Sequence, residues 1–422
     1  MDTGLIQKSY DIAKEKYAAL GVNTEEVLSK LEKISISMNC WQGDDVGGFE
    51  TPDAELGGGG IQVTGNFPGK PRNVEELRRD MEMAYSQIPG NHRLNLHSIY
   101  GEFGGQYVDR DQYEPTHFQG WIDWAKQQNL KLDFNCTCFS HPKAEDGYTL
   151  SSKSKETRDF WIEHTKRCRR ISAHIGKELN SPCIHNLWIP DGSKDNPVDR
   201  FGHRKLLVES LDNIFSEQLS ALEMKDAVEC KLFGIGSEAF VVGSHEFYLG
   251  YAISRNKMIC FDLGHFHPTE LVADKISAAL QFVDELLIHT SRGVRWDSDH
   301  VVILNDDVRM LTEEIVRSNA LEKVNIALDF FDASINRIGA WAVGTRSTIK
   351  ALLLAMLEPR QKLLEYENNG QLFERLALLE EMKTMPFGDV WNYYCMTKEA
   401  PAGTQLIDNI RKYEQDVLGN RG

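Results

Sequence analysis

Seven ionisable side chains in the second half of this chain have the types and spacing of a metal-dependent active site: Glu229 in VECKLFGI, Asp262 and His265 in CFDLGHFHPTE, His289 in LLIHTS, Asp297 and Asp299 in RWDSDHVV, and Asp329 in IALDFFDAS. Each lies in or just after a short apolar run. A carboxylate in such a setting loses solvation worth several kcal/mol unless something neutralises it. Five carboxylates against two imidazoles and the nearby Lys231 leave a negative excess, which divalent cations answer best. Oxygen-rich sets with one imidazole each suit Mn2+, Mg2+ or Co2+ better than thiolate-loving ions. Glu229, Asp262, His289 and Asp329 come from four successive runs and can close around one ion. Asp297 and Asp299, two apart and so on one face, can grip a second ion with His265. Such a pair acts as a template and Lewis acid for a substrate with vicinal oxygens.

Each residue also has a plainer reading. A lone Asp after a strand is commonly a helix N-cap, which covers Asp297 or Asp299. His289 fits as a hydrogen-bonded core histidine. Lys231 fits as a salt-bridge partner of Glu229, Asp329 as a partner of Arg337, and one of His265 and His267, two apart, as a donor behind the ligands or a surface residue. Taken together these readings need several independent exceptions on one rim. Two further residues sit at the ends of other runs, His97 in LNLHSIY and Trp188 in HNLWIPDG. His97 can hydrogen-bond a hydroxyl, and Trp188 can present a ring face to C–H groups, although both also suit a core.

The elements that must position these groups alternate. Runs rich in β-branched and aromatic residues cover 33–41, 93–100, 130–136, 183–189, 228–235, 258–263, 286–291 and 324–331. Between them, 73–86, 116–128, 154–179, 204–221, 267–280 and 312–318 carry apolar residues at helical spacing. Eight strand-helix repeats predict an α/β fold, a (β/α)8 TIM barrel, whose active site gathers at the C-terminal ends of the strands. The run 301–304 (VVIL) also reads as a strand. Helices are expected before the first strand and after the last, so residues 1–345 are assigned to the barrel with its N-terminal helices and 346–422 to a C-terminal helical extension. Amphipathic arms of this kind need a partner surface, and a homo-oligomer is expected.

The loop 43–71, with Gly57 to Gly60 and GNFPGKP, breaks the alternation. Gly69-Lys70 is followed by Pro71, so it is not a phosphate-binding loop. A flap over the active site with Phe67 as an apolar tip and a plain surface insertion both fit.

Lys plus Arg is 47 and Asp plus Glu is 63, for a net charge of −16, which disfavours nucleic acid or an anionic membrane as partner. No apolar run approaches the length of a bilayer span, and the first twenty residues lack the features of a signal peptide, so a cytoplasmic location is expected. The eight cysteines are scattered; only Cys136 and Cys138 lie close, and they read as core filler.

The segments SMNCWQGDDVGGFE, LNLHSIYGEFGG, NLWIPDG, KLFGIGSEAF, VGSHEFYLGYA, DLGHFHPTE, VRWDSDHVV and LDFFDASINRI, in this order, make the chain resemble the L-rhamnose isomerase family over essentially its whole length. The resemblance implies a cytoplasmic homotetramer that converts L-rhamnose to L-rhamnulose with two ions per subunit, Mn2+ or alternatively Co2+, Zn2+ or Mg2+. It puts Glu229, Asp262, His289 and Asp329 on the family's structural-metal ligands and His265, Asp297 and Asp299 on its catalytic-metal ligands. Lys231 falls on its active-site lysine, and His97 and Trp188 on residues around the sugar. It also favours the flap reading of 43–71. The methyl group of rhamnose is expected to meet Trp188, Phe67 or Tyr100. Hydrogen transfer between C2 and C1 by hydride shift and by an enediol both remain open, with committed carboxylates favouring the former. Rival readings are an aldose isomerase of other specificity (L-mannose, D-allose, D-xylose), a two-metal hydrolase or nuclease, which would want a basic groove, and a sugar-binding barrel without chemistry.

Overall fold

The computed structural model describes residues 2–50, 64–234 and 236–421. Eight parallel strands form a closed barrel: β1 (Ile36–Asn39), β2 (Arg93–His97), β3 (Lys131–Cys136), β4 (Cys183–Leu187), β5 (Met224–Glu229), β6 (Met258–Asp262), β7 (Leu286–Thr290) and β8 (Val324–Leu328). β1 pairs with both β2 and β8, which leaves the barrel without an edge. The expected (β/α)8 architecture is therefore present. Closure sets the register that matters for chemistry, since Asp262 lies opposite His289 across the β6–β7 pair.

Helices α1 (Thr3–Ala18) and α2 (Thr24–Leu31) precede the barrel. Outside it run α3 (Val74–Tyr85), α4 (Gln119–Gln127), α5 (Lys155–Leu179), α6 (Arg200–Phe215), α7 (His245–Arg255), α8 (Ala273–Ala279), α9 (Asp306–Arg317) and α10 (Arg337–Met356). α10 is buried on nearly all sides, which suits its high Ala, Leu and Trp content. It runs unbroken through residue 345, where the sequence reading divides barrel from extension. α11 (Arg360–Asn368), α12 (Leu372–Met382), α13 (Phe387–Thr397) and α14 (Gln405–Asp416) follow. α13 folds back on α1, with Tyr10 and Tyr393 stacked at 3.7 Å. No helix among the described residues is long and apolar enough to cross a membrane.

Three expectations change. The fifth strand is Met224–Glu229, not 228–235, because Lys225 and Asp226 give it a loop-like sequence. Their charges are matched in the fold: Asp226 accepts from Arg169 (2.9 Å) and Lys257 (3.1 Å), and Lys225 holds Glu285 (2.6 Å). The run 301–304 forms no strand; it leads into α9, with Val301 and Val302 buried and Ile303 and Leu304 partly exposed. The last stretch of the first apolar run turns away as a single 3-10 turn at Cys40–Gln42. Cys136 and Cys138 are buried with their sulfurs 4.0 Å apart; Cys138 packs as core filler, while Cys136 also borders the cavity at the barrel mouth.

Candidate metal centre and active site

At the C-terminal mouth of the barrel a cavity of about 390 Å³ is lined by Glu229, His265, Asp297, Asp299 and Asp329 together with Lys231, His97 and Trp188. Glu229 ends β5, Asp262 ends β6, His289 lies in β7 and Asp329 follows β8. These four each offer a ligand atom within 4.8 Å of the others. His289 Nδ1 is 3.2 Å from Glu229 Oε1, 3.2 Å from Asp329 Oδ2 and 3.9 Å from Asp262 Oδ2. A second set, Asp262, His265 and Asp297, meets the same criterion, with His265 Nε2 3.2 Å from Asp297 Oδ2. Asp262 belongs to both sets.

Asp299 stands outside both sets. It lines the cavity, and burial, with Asp297, Asp329 and Asp262 adding, pushes its carboxyl well above the ordinary range. The alternation argument for Asp297 and Asp299 does not apply, because the segment is not a strand: Arg295 (φ 71°) and Asp299 (φ 44°) are left-handed, and the chain bends there.

The electrostatics of the rim are those of a site that wants positive charge. Burial, with Asp329 and Glu229 adding, raises the Asp262 carboxyl to about 7 against the pull of His265. Burial would lower both imidazoles, but Asp297 and Asp262 hold His265 well above its usual range, and Cys260, Glu229 and Asp329 do the same for His289. Buried Asp262 Oδ2, Asp297 Oδ1, His265 Nδ1 and His289 Nε2 have no hydrogen-bond partner among the described residues. Orphaned atoms of this kind are costly, and those of Asp262, Asp297 and His265 belong to one ligand set, so the donor set fits divalent cations. Cys260 also lies near Glu229 and His289, but burial drives its thiol far up, and a protonated thiol is a poor ligand.

The supporting atoms are those that sequence reasoning missed. Asn186 Nδ2 donates to Glu229 Oε2 (2.5 Å), Ser291 Oγ to Asp262 Oδ1 (2.6 Å), and Trp41 Nε1 to Asp329 Oδ1 (3.1 Å). The Gly264 amide donates to Asp262 Oδ1 (2.6 Å), and a Cβ there would sit 2.8 Å from Asp297 Oδ1, so the backbone needs glycine. Polar residues at strand ends beside acidic ones were the available signal, although only barrel closure says which touch. Such partners orient ligands and raise their basicity.

The N-cap of α9 is Asn305, not Asp297 or Asp299. Arg337 pairs with Asp45 (2.7 Å) rather than Asp329. Lys231 is not bonded to Glu229; its Nζ donates to Pro190 O (3.3 Å) and lies 5.5 Å from the centre of the Trp188 ring. Burial lowers it to about 8, partly offset by Asp297, Asp191 and Glu238. His267 is exposed and bonds Thr269, as a surface residue would. His97 Nδ1 bonds Thr137 Oγ1 (3.0 Å), and its ring meets Trp41 edge-on at 4.6 Å.

Two expected apolar contacts fail. The Tyr100 hydroxyl is turned to Asp44 (2.5 Å), and Phe67 is held by its backbone to Ala333 (2.7 Å); neither lines the cavity. Val46, Phe139, Phe233 and Phe331 line it instead. Of the loop 43–71, Gly57 to Gly60 fall outside the described residues, while Thr64 reaches the cavity wall.

Comparison with known proteins bears on what this mouth is for. The model of the L-rhamnose isomerase (RhaA) family matches residues 4–421. An L-rhamnose isomerase of Rhodopirellula baltica is 56% identical over 418 residues, covering 99% of this chain and 97% of its own. One from Bacteroides thetaiotaomicron is 55% identical over 417 residues, 99% of each. One from Klebsiella pneumoniae is 54% identical over 420 residues, the whole of both chains. With matches that run from end to end, and a barrel whose mouth collects acids and imidazoles from four strands, this chain belongs to the L-rhamnose isomerase family.

Proposed function

We propose that this protein interconverts L-rhamnose and L-rhamnulose, an aldose-ketose isomerisation, with two divalent ions per subunit. The observation that carries the reading is the pair of ligand sets sharing Asp262, in a chain that matches the family from end to end. Glu229, Asp262, His289 and Asp329 would hold one ion, and His265, Asp297 and Asp299, with the shared Asp262, the other. Mn2+ suits the oxygen-rich donors, with Co2+, Zn2+ and Mg2+ as alternatives. Bound there, the ions supply Lewis acidity toward vicinal sugar oxygens.

The protein's own groups do the rest. Lys231, one of the few cations at the mouth, adds positive charge beside the C1 and C2 oxygens as negative charge develops on them. Trp188 and Phe139 offer ring faces to C–H groups and exclude water. His97, pushed down to about 3 chiefly by burial, stays neutral and binds by hydrogen bonding alone. Hydrogen then passes with its electron pair from C2 to C1, while the C2 hydroxyl loses a proton and O1 gains one. We favour this over an enediol because the rim carboxylates are engaged with one another or with ligand sets, which leaves few free to take a carbon-bound proton. Tritium from solvent found at C1 of the product would refute the direct transfer.

The deciding experiment is isomerisation of L-rhamnose by chelated protein, then with Mn2+, Co2+, Mg2+ or Zn2+ restored. Activity should vanish and return. A kinetic comparison with L-mannose, D-allose and D-xylose tests specificity, and a large preference for a sugar lacking the C6 methyl would replace the assignment. A cytoplasmic homotetramer completes the reading. The exposed Leu372, Phe373 and Leu376 of α12, which buries no residue within its own chain, favour assembly, as measured by light scattering.

A further inference from the structure

Thr137 follows β3 and is fully buried, yet its hydroxyl is the one protein group that meets His97 Nδ1 (3.0 Å) among the described residues. The direction of the bonds around it can be worked out. The Thr137 N–H donates to Ser98 Oγ (3.2 Å), and the Ser98 hydroxyl donates onward to Thr137 Oγ1 (3.0 Å). That uses the Ser98 hydrogen. The Thr137 hydroxyl, already an acceptor, keeps its own hydrogen, and His97 Nδ1 is the acceptor left within reach.

A nitrogen that accepts carries no proton. In a neutral imidazole with a bare Nδ1, the proton sits on Nε2. The opposite arrangement, Nδ1–H donating to Thr137, would send the Thr137 hydrogen to Ser98 Oγ and turn the Ser98 hydrogen to Cys168 Sγ, exchanging an imidazole-nitrogen acceptor for a weak thiol one. The ring itself is fixed, between Trp41 at 4.6 Å and Phe139 at 5.5 Å, both edge-on, and it lines the cavity.

We propose that Thr137 is a positioning residue: with Ser98 it locks His97 as the Nε2–H tautomer, so the cavity offers the sugar a hydrogen-bond donor at this point and selects an oxygen acceptor there. This deepens the isomerase reading and rests on His97 meeting the sugar. His97 neither gives up nor takes a proton in this role. Its contribution is direction.

Neutron diffraction from crystals of the metal-loaded protein in deuterated water reads the tautomer directly. Deuterium on Nε2 of His97, with Nδ1 bare, is the expected result, and deuterium on Nδ1 would overturn the proposal. Thr137→Val keeps the side-chain shape and removes the hydroxyl; Thr137→Ser keeps the hydroxyl. The first should raise KM for L-rhamnose about tenfold, with a smaller change in kcat, because the donor is needed to bind the sugar as well as to reach the transition state. The second should restore KM to within about threefold of wild type. A Thr137→Val enzyme with wild-type KM, or a Thr137→Ser enzyme as impaired as Thr137→Val, would overturn the relay. Failure of the wild-type protein to turn over L-rhamnose would instead count against the isomerase reading, leaving the neutron result to judge the tautomer.

Discussion

Removing the metal should make stability fall in alkali, and the size of the effect follows from His265 and His289. Both imidazoles are buried and held well above their usual 6.5, His265 by the surrounding carboxylates and His289 by Cys260 with Glu229 and Asp329, despite the opposing effect of burial. A raised pKa stabilises the fold fully below the unfolded value, and the gain is lost as pH rises toward the folded one. Each group then costs about 1.4 kcal/mol per pH unit, so the pair costs about 3 kcal/mol per unit above about pH 7. Asp262, raised to about 7, and Asp299, raised well above the ordinary carboxylate range, lose stability with rising pH in the same sense, so the two imidazoles set a lower bound. His92, His97 and His164 are lowered to about 4, 3 and 3, mainly by burial, and they oppose the effect below 6.5 but are neutral in both states above it. Lys231, lowered to about 8, begins to titrate in the fold only at the top of the window. Urea unfolding of chelator-treated protein, followed by far-UV circular dichroism at fixed concentration, should therefore show stability falling by a few kcal/mol between about pH 7 and 8. With Mn2+ in excess the cation replaces the protons and the slope should disappear. Metal-free protein that is as stable at the upper pH as at the lower would refute the reasoning.

Ser291→Ala removes one of two donors to Asp262 Oδ1, and because Asp262 serves both ligand sets, metal affinity should drop about 10–100-fold in a competition assay against a chelator. Unchanged affinity would mean that the Gly264 amide suffices. Asp297→Asn should abolish turnover while circular dichroism stays native, and wild-type activity in that variant would sink its assignment as a ligand. Lys231→Met should lower kcat by about a hundredfold or more with bound metal unchanged, as measured by steady-state kinetics and elemental analysis. A kcat near wild type would remove the lysine from the mechanism.

Much of this was legible in the chain itself. Acids and imidazoles at the ends of apolar runs are conspicuous because the plainer readings need several independent exceptions at once, so Glu229, Asp262, His265, His289, Asp297 and Asp329 could be found without coordinates. The strands β6 and β7 were equally plain, being short apolar runs with clear limits. β5 was misplaced because the charges of Lys225 and Asp226 are satisfied by Glu285, Arg169 and Lys257, all distant in sequence. The same limit hid Asn186, Ser291 and Trp41. Their roles come from contacts that exist only once the barrel closes, and a buried Asn or Ser has no periodicity to betray it. Phe67 and Tyr100 show the converse, since an aromatic residue close in sequence to the mouth need not face it.

Arg110 gives one more consequence. It is buried, pairs with Glu50 (2.9 Å), and also donates to the carbonyls of Thr137 (2.8 Å), Phe139 (2.6 Å) and Ser140 (3.1 Å). The loop that leaves β1 is thus riveted to the one that leaves β3, and the rivet touches the backbone of Thr137, the residue that orients His97. For anyone recombining loops among related barrels to shift sugar preference, these two segments and the loop after β2, which carries Arg110 itself, form a single inheritable cassette. Grafting the first without Glu50 would strand a guanidinium in the interior, a fault of about 3–5 kcal/mol.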